Sequence, residues 1–428
     1  MSEDSNKISF PGEVNLNRID LITWDERRID ISAMVAEISI YEDIFSNTLS
    51  GHILIEDSLD LINSAPLIGQ EQIIIELQTP TLTEKISKSF YVYKLQYRTA
   101  NKRSQSYMLN FCSKELIFSA NSKVAQAFSG NISDNVISIF KDARYLASRK
   151  DLFVEKTKNN YNFIAPYWTP LETINWLTTK SINARGVPNY LFFETNQTFE
   201  YVSVDTLMRG VPVRSYIYSD VDANTAYGAD GDKESKYNIV ESITTATTFD
   251  YLRNLNAGMY SSRLVTYDMT TRTINSNTFD YIQNFKESSH LEDNPLKTDT
   301  LLRKKIASLY FIEKNNYQSG NLIKQGYSDF FLQRNSLLEQ LSAFKISIKV
   351  PGRTDMKVGM VVNFTMSGMR QILKDEIATA SASDYYSGRY LITAIRHQII
   401  NGAHSMLMEI VSDSFIKPLV ATVETSGK

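Results

Sequence analysis

The chain of 428 residues has one cysteine, Cys112, and four histidines, His52, His290, His397 and His404. One thiol excludes a disulfide within the chain, so the fold does not depend on oxidation. Cys112 ends the alternating run Tyr107-Met-Leu-Asn-Phe-Cys and reads as a small, half-buried strand residue. Hydrophobic runs are a few residues long, far short of the ~20 that a membrane-crossing helix needs. The opening Met-Ser-Glu-Asp-Ser-Asn-Lys has no apolar core, so no signal peptide is expected. The expectation is a protein made in a cytoplasm that stays soluble or joins a particle. Positive charge is not in excess: 45 Lys+Arg stand against 48 Asp+Glu, a net charge of -3. A dedicated nucleic-acid binder is normally basic. There is no Gly-x-Ser-x-Gly elbow and no Gly-rich phosphate cradle.

What is present is β-sheet material. Hydrophobic residues make up 43% of the chain, an ordinary globular share. The length suits about three domains of ~150 residues. The 24 tyrosines and 21 phenylalanines suit sheet surfaces and interfaces. Ile29 to Ser113 is mostly strand-like. Met34, Ala36, Ile38 and Ile40 share one face, and Ile53 and Ile55 share another. Tyr91, Tyr93, Leu95 and Tyr97 alternate with Val92, Lys94, Gln96 and Arg98. Short strands with turns between them suggest a barrel or sandwich.

The texture changes near Asn121. Ser133 is expected to N-cap a helix holding Val136, Ile137 and Phe140, with Ile132 and Ile137 as a hydrophobic staple. Thr169, Pro170 and Glu172 form a capping box that opens a second helix, with Leu171, Ile174 and Leu177 on one face. A hairpin follows, Tyr190-Leu-Phe-Phe-Glu and Phe199-Glu-Tyr-Val-Ser, turning at Asn196-Gln197. Residues 220–236 read as an exposed polar loop. Its Asp220, Asp222, Asn224, Asp230 and Asp232 invite a calcium reading, but the required glycine falls on Thr225 and the final glutamate on Gly231. Strands resume at Tyr237–Ile243, Met259–Met269 and Thr270–Tyr281. A polar stretch and a short helix at Ser336–Leu341 follow. Phe344–Val350, Val358–Phe364, Tyr390–Ile400 and Ser405–Val411 are strands again, the last two joined by the type I′ signal Asn401-Gly402.

The fold class expected is α+β, mainly β: two β-barrel domains with α+β insertions. The first barrel takes 1–120 and an α+β insert 121–208. The second barrel takes 209–285 and 335–416, interrupted by an insertion at 286–334. A tail covers 417–428.

Candidate chemistry is sparse. With a two-residue turn at Asn401-Gly402, His397 faces Met406 and His404 faces Ile399. The two histidines are then diagonal neighbours, roughly 7–8 Å apart at the backbone. No carboxylate stands obviously by to complete a metal site, so they read as strand-surface histidines. Glu42-Asp43 is the tempting acid pair, but adjacent strand residues point to opposite faces, which leaves a charged turn or a subunit contact. Lys94, Arg98, Lys102 and Arg103 interleave with tyrosines, and a strand's polar face plus a basic turn explains them without nucleic acid. No catalytic, cofactor-binding or metal residue is assigned, no cofactor is expected, and the chain is not expected to be an enzyme.

The run Tyr41-Glu-Asp-Ile-Phe-Ser-Asn-Thr-Leu-Ser-Gly-His-Ile-Leu-Ile-Glu-Asp, followed by Pro66-Leu-Ile-Gly-Gln-Glu, resembles the first tube domain of the central baseplate hub of T-even-like contractile-tail phages. That structural family includes the N-terminal half of VgrG spike proteins. The stretches Phe249–Leu264, Val350–Arg353, Met356–Phe364, Gly388–His397 and Met406–Asp413 are also similar to the family, in the same order, while 286–334 matches nothing in it. The resemblance implies a homotrimer, two tube barrels per chain, that assembles as a ring. Such a ring joins a hexameric tail tube to a trimeric central spike. The partners implied are the spike, the tube or tube-initiator protein and baseplate wedge proteins, with DNA only in transit and no membrane. The implied location is the virion tail baseplate, assembled in the host cytoplasm. A type VI or pyocin-like injection particle is the alternative of the same kind. A tail-associated cell-wall hydrolase or carbohydrate-binding protein is the alternative of another class. No spike or hydrolase segment is expected after Ser412, which favours the phage arrangement of separate hub and spike chains.

Overall fold

The computed structural model describes residues 10–65, 67–101, 104–218, 235–247, 249–268, 272–296, 308–313, 329–366 and 386–417. The period-2 runs of the N-terminal part form β1 (Asn15–Ile22), β2 (Arg28–Asp30), β3 (Val35–Asp43), β4 (Ser50–Asp57), β5 (Gln72–Gln78), β6 (Lys85–Ala100) and β7 (Gln105–Ser113). Their order in the sheet is β2-β1-β5-β6-β7-β4-β3. Ile19, Ile38, Ile53, Ile75, Leu109 and Phe111 fill the core this sheet encloses. The run Pro66-Leu-Ile-Gly-Gln-Glu has a local cause. The buried Glu71 carboxylate accepts from the backbone N–H groups of Ile68 (2.7 Å), Gly69 (3.0 Å) and Gln70 (3.2 Å). Gly69 turns the chain there at φ +87°. In β6, bulges between Val92 and Lys94 and between Gln96 and Thr99 break the alternation. Phe90 and Val92 stay in the core, while Tyr93, Leu95 and Tyr97 are exposed.

The insert begins with α1 (Leu61–Ser64) already passed in the barrel and α2 (Lys114–Asn121) leading out of it. It contains β8 (Ala127–Phe128), α3 (Ile132–Lys141), β9 (Leu152–Val154), β10 (Phe163–Ile164), α4 (Pro170–Thr178), β11 (Tyr190–Glu194), β12 (Phe199–Ser203) and α5 (Val204–Met208). The capping box is formed: Thr169 accepts from Glu172 N, and Glu172 accepts from Thr169 N at 2.8 Å. The cap of α3 corrects the expectation. Asn131, in extended conformation, accepts from Ser133 N at 3.1 Å, so Ser133 lies within the first turn and Ile132 is the first helical residue rather than half of a staple.

The remaining strands are β13 (Ser215–Tyr218), β14 (Ser242–Thr247), β15 (Ser261–Asp268), β16 (Thr273–Asp280), β17 (Asn294–Pro295), β18 (Ser308–Glu313), β19 (Lys345–Pro351), β20 (Val361–Met366), β21 (Gly388–Ile400), β22 (Ala403–Val411) and β23 (Ser414–Phe415). With α6 (Tyr251–Asn256), α7 (Tyr281–Asn284) and α8 (Phe331–Gln340) they complete the described elements. Three expectations change. Tyr237 sits in a 3-10 turn, Ser235–Asn238, and its strand starts only at Ser242. The helix near Ser336 starts five residues earlier, at Phe331, because the buried Arg334 donates to Pro188 O (2.7 Å) and Tyr190 O (3.2 Å) of the insert. β15 and β16 do not join the second barrel's sheet. They pair with β18 in a sheet ordered β16-β15-β18, over a core of Met259, Tyr260, Tyr281 and Phe285. Of the 220–236 loop, residues 220–234 lie outside the described residues, as do 297–307 and 314–328 of the insertion.

The second barrel's sheet runs β14-β19-β22-β21, with β20 also on β21 and β13 on β20. It nearly closes: Ile217 of β13 bridges Ile239, and Val240 N donates to Ile217 O at 3.0 Å, just before β14. The hairpin β21–β22 serves both barrels. β21 also pairs with β3, from Ala394↔Asp43 to Ile400↔Glu37. Its turn end reaches the lead-in to β1, where Glu13 bridges Ala403 and His404 N donates to Gly12 O at 2.7 Å. Ile399 therefore packs in the first core, and Ile395, Met406 and Met408 in the second. Asn401 and Gly402 have φ +50° and +77°, as the type I′ turn requires.

Candidate functional site

One sheet runs from β2 through β3 and β21 to β14, so the two barrels share a continuous wall. Its inward residues fill the two cores, and its outward residues can be read off the register. Lys349, Leu407, Arg396, Tyr41 and Ser50 lie in one row across five strands. Gln398, Ser39, His52, Asn110 and Lys94 lie in the next. This outer face is polar and knitted together. Arg396 donates to Glu37 (2.9 Å) and Ser39 (3.2 Å), Gln398 donates to Glu37 (2.8 Å), and the Tyr41 hydroxyl meets His52 Nδ1 at 3.3 Å. Burial, only partly offset by Glu37, lowers the His52 pKa below 6.5, which keeps the ring neutral near pH 7. Of the basic strip, Arg98 donates to Gln105, Lys94 is exposed on the wall, and Lys102 and Arg103 lie outside the described residues.

The inward face holds what the sequence did not reveal. His397 and His404 are not strand-surface residues: both are fully buried, between the two cores. The register is the expected one, His397↔Met406 and Ile399↔His404, and the rings meet at 3.1 Å, His397 Nδ1 to His404 Nε2. A carboxylate is present after all. Glu42 and Asp43 do face opposite ways, but Glu42 is buried and lies 3.2 Å from His397 Nε2. It also accepts from Val358 N at 3.3 Å. Glu42 is therefore neither a turn charge nor a surface contact. Only the pairing of β3 with β21, across some 355 positions of sequence, brings it there. His290 lies elsewhere, stacked on Phe285 at 3.7 Å, with Nδ1 2.6 Å from Asp413. Among the described residues, no group of three His, Cys, Asp or Glu is arranged to hold a metal ion.

A buried ion cluster ties the insert to the first barrel. Lys150 donates to Glu115 (2.8 Å) and Glu194 (2.7 Å), Glu194 accepts from Leu49 N (3.0 Å), and Lys88 lies 3.9 Å from Glu194. Burial and then the glutamates push the nearby Cys112 thiol up to about 11, which makes it inert at neutral pH. Asn47 and Asn175 exchange amide hydrogen bonds of 2.7 and 2.8 Å across the same joint. A cleft of about 850 Å³ lies on the wall between Met34, Glu37, Leu54, Glu56, Gln105 and Asn401, and Glu37 is already committed to Arg396 and Gln398.

No family model matches the sequence, and no curated protein matches it. Solved structures do match. The tail protein from Neisseria meningitidis MC58 superposes with a TM-score of 0.55 over 92% of this chain and 96% of its own, at 10% identity. The 43 kDa tail protein of prophage MuSo2 from Shewanella oneidensis gives 0.55 over 92% and 98%, at 9% identity. The chain has a phage tail-protein fold. Identity this low carries the fold and not the residues.

Proposed function

We propose that this protein is the structural hub of a contractile-tail baseplate. In this reading three copies form a ring that joins the hexameric tail tube to the trimeric central spike and encloses the channel for DNA. The observation that carries it is the single sheet spanning both barrels, with a polar, internally hydrogen-bonded outer face. Three such walls set side by side make a six-barrel tube, whose polar face lines the channel. Arg396, Glu37, Tyr41 and His52 then face the lumen. Their charges are paired, so transiting DNA meets few free cations to grip.

The rest of the surface supports obligate contacts. Trp24, Phe45, Phe153, Ile164, Phe249 and Leu252 are half exposed or more and offer apolar side chains for contacts with partners. β16 is exposed from Ile274 to Thr278 on both faces and carries no charge over those residues, so it lacks the usual protection of an edge strand. The partners are a spike protein, a tube or tube-initiator protein and wedge proteins, and the place of action is the virion tail. The chain has no catalytic task in this reading. Light scattering of the chain coexpressed with its spike should give three copies, and a persistent single copy in that complex would contradict the hub. Purified protein should neither clear peptidoglycan suspensions nor retard duplex DNA at physiological salt.

A further inference from the structure

The buried chain Glu42–His397–His404 sits where three parts of the molecule meet. Glu42 is on β3, His397 on β21 and His404 on β22. The backbone of His404 holds two further segments: its N–H donates to Gly12 O (2.7 Å) and its C=O accepts from Gly352 N (2.8 Å). The first contact closes the first barrel between the hairpin and β1. The second fixes the end of β19 in the second barrel.

With Glu42 as the acceptor at one end, the tautomers follow. Glu42 accepts from His397 Nε2–H, and His397 Nδ1 then accepts from His404 Nε2–H. His404 Nδ1 is left as a lone pair with no partner among the described residues. That arrangement satisfies every donor in the chain while both rings are neutral. Of the four ring nitrogens only His404 Nδ1 is left to take one more proton, and that would make a buried imidazolium whose new N–H has no acceptor among the described residues. Gly352 packs flat against the face of the ring: a Cβ there would lie 2.1 Å from Cγ and 2.4 Å from both Nδ1 and Cδ2, so the ring is held in a slot that only glycine leaves open. Burial, then the neighbouring His397, holds the His404 pKa well below its usual 6.5. The other charged or titratable groups nearby are Lys88 on β6, which senses Glu42, and Arg353 with Asp355 beyond β19, which with Glu13 surround Tyr237 beside Gly12.

We propose that this chain is an acid-sensitive clasp: uptake of a proton by the imidazole pair expels His404 from its slot against Gly352 and opens the seam between Gly12–Val14 and the β21–β22 turn. The sign follows from linkage. The opened state takes up the proton near pH 6.5 and the closed state does not, so the clasp is fully closed above that pH and weakens as pH falls. The closed-to-open ratio drops about tenfold per pH unit for each proton taken up only on opening.

Hydrogen–deuterium exchange of the full-length chain, corrected for intrinsic rates, tests this between pH 7.5 and 5.5. Amides of residues 12–14, 352 and 402–404 should lose about tenfold protection per unit below 6.5. Those of β11 and β12, which carry no histidine and pair with neither β21 nor β22, should hold theirs. His404→Gln keeps a donor toward His397 and cannot titrate, so its seam protection should be flat over the same range. His52→Gln should respond like the wild type. A pH-independent seam in the wild type, or the same acid response in His404→Gln, would overturn the clasp. Should His404→Gln not fold, ring nitrogen NMR of the wild type decides: His404 protonation and seam opening must share one midpoint, and separate midpoints refute the proposal.

Discussion

Gly352 and the His404 ring occupy nearly touching space, and a Cβ at 352 would come within 2.1 Å of His404 Cγ. Gly352→Ala should therefore cost about 1–3 kcal/mol through overpacking, read as a lower midpoint in chemical denaturation. Glu71 gives a second residue-scale expectation. Its carboxylate collects three backbone N–H groups, charge-assisted bonds that a neutral amide replaces poorly. Glu71→Gln should lose about 1.5–3 kcal/mol in the same measurement, and an unchanged midpoint would show that the turn does not need the charge. His290 behaves in the opposite sense to His404. Burial pulls its pKa down, but the Asp413 carboxylate and Phe285 O outweigh that and leave it raised above 6.5. A raised folded-state value means that the stability this pair supplies is complete below about 6.5 and is lost as pH rises through the raised value. Thermal melts should show that loss on the alkaline side in the wild type and not in Asp413→Asn.

The turn at Asn401-Gly402 is the element on which most depends, because β21–β22 is part of both barrels. Gly402 sits at φ +77° with nothing within 4 Å of a built Cβ. Gly402→Val thus suffers from backbone strain and not from collision, about 1–3 kcal/mol. The melting temperature should fall and ring assembly should weaken with it; normal stability and assembly would mean that the turn tolerates a β-branched residue. This hairpin was fully legible in the sequence, register included, because the turn chemistry and the alternation are local. The capping box at Thr169 was legible for the same reason. The N-terminus of α3 was misplaced by two residues because Asn131 and Ser133 both suit a cap and only the backbone decides between them. The early start of α8 was hidden because Arg334 is polar in sequence and becomes buried through carbonyls more than 140 positions away. Glu42 was misread for the same physical reason: its partner is supplied by a strand pairing that no local pattern encodes. The separate sheet of β15, β16 and β18 was likewise invisible, since alternation gives a strand its faces but not its neighbours.

At the scale of the whole molecule, the account rests on a wall: one sheet, two cores on its inner side, and a paired polar face on its outer side. Barrels that share a hairpin cannot move apart without breaking its pairings to β3 or to β19, and this makes the two barrels suited to act as one segment of the proposed ring. The insert is locked to that segment by Lys150, Glu115 and Glu194. Replacing Lys150 with Met leaves the buried Glu115 without its cation and Glu194 with only Lys88, 3.9 Å away, and should cost about 3–5 kcal/mol by denaturation. The most direct measurement of the central claim is an electron cryomicroscopy reconstruction of the chain with its spike partner. A threefold ring with Tyr41 and Arg396 facing a central channel is the expected result. A particle without a channel, or a ring with those two residues on its outer circumference, would contradict it.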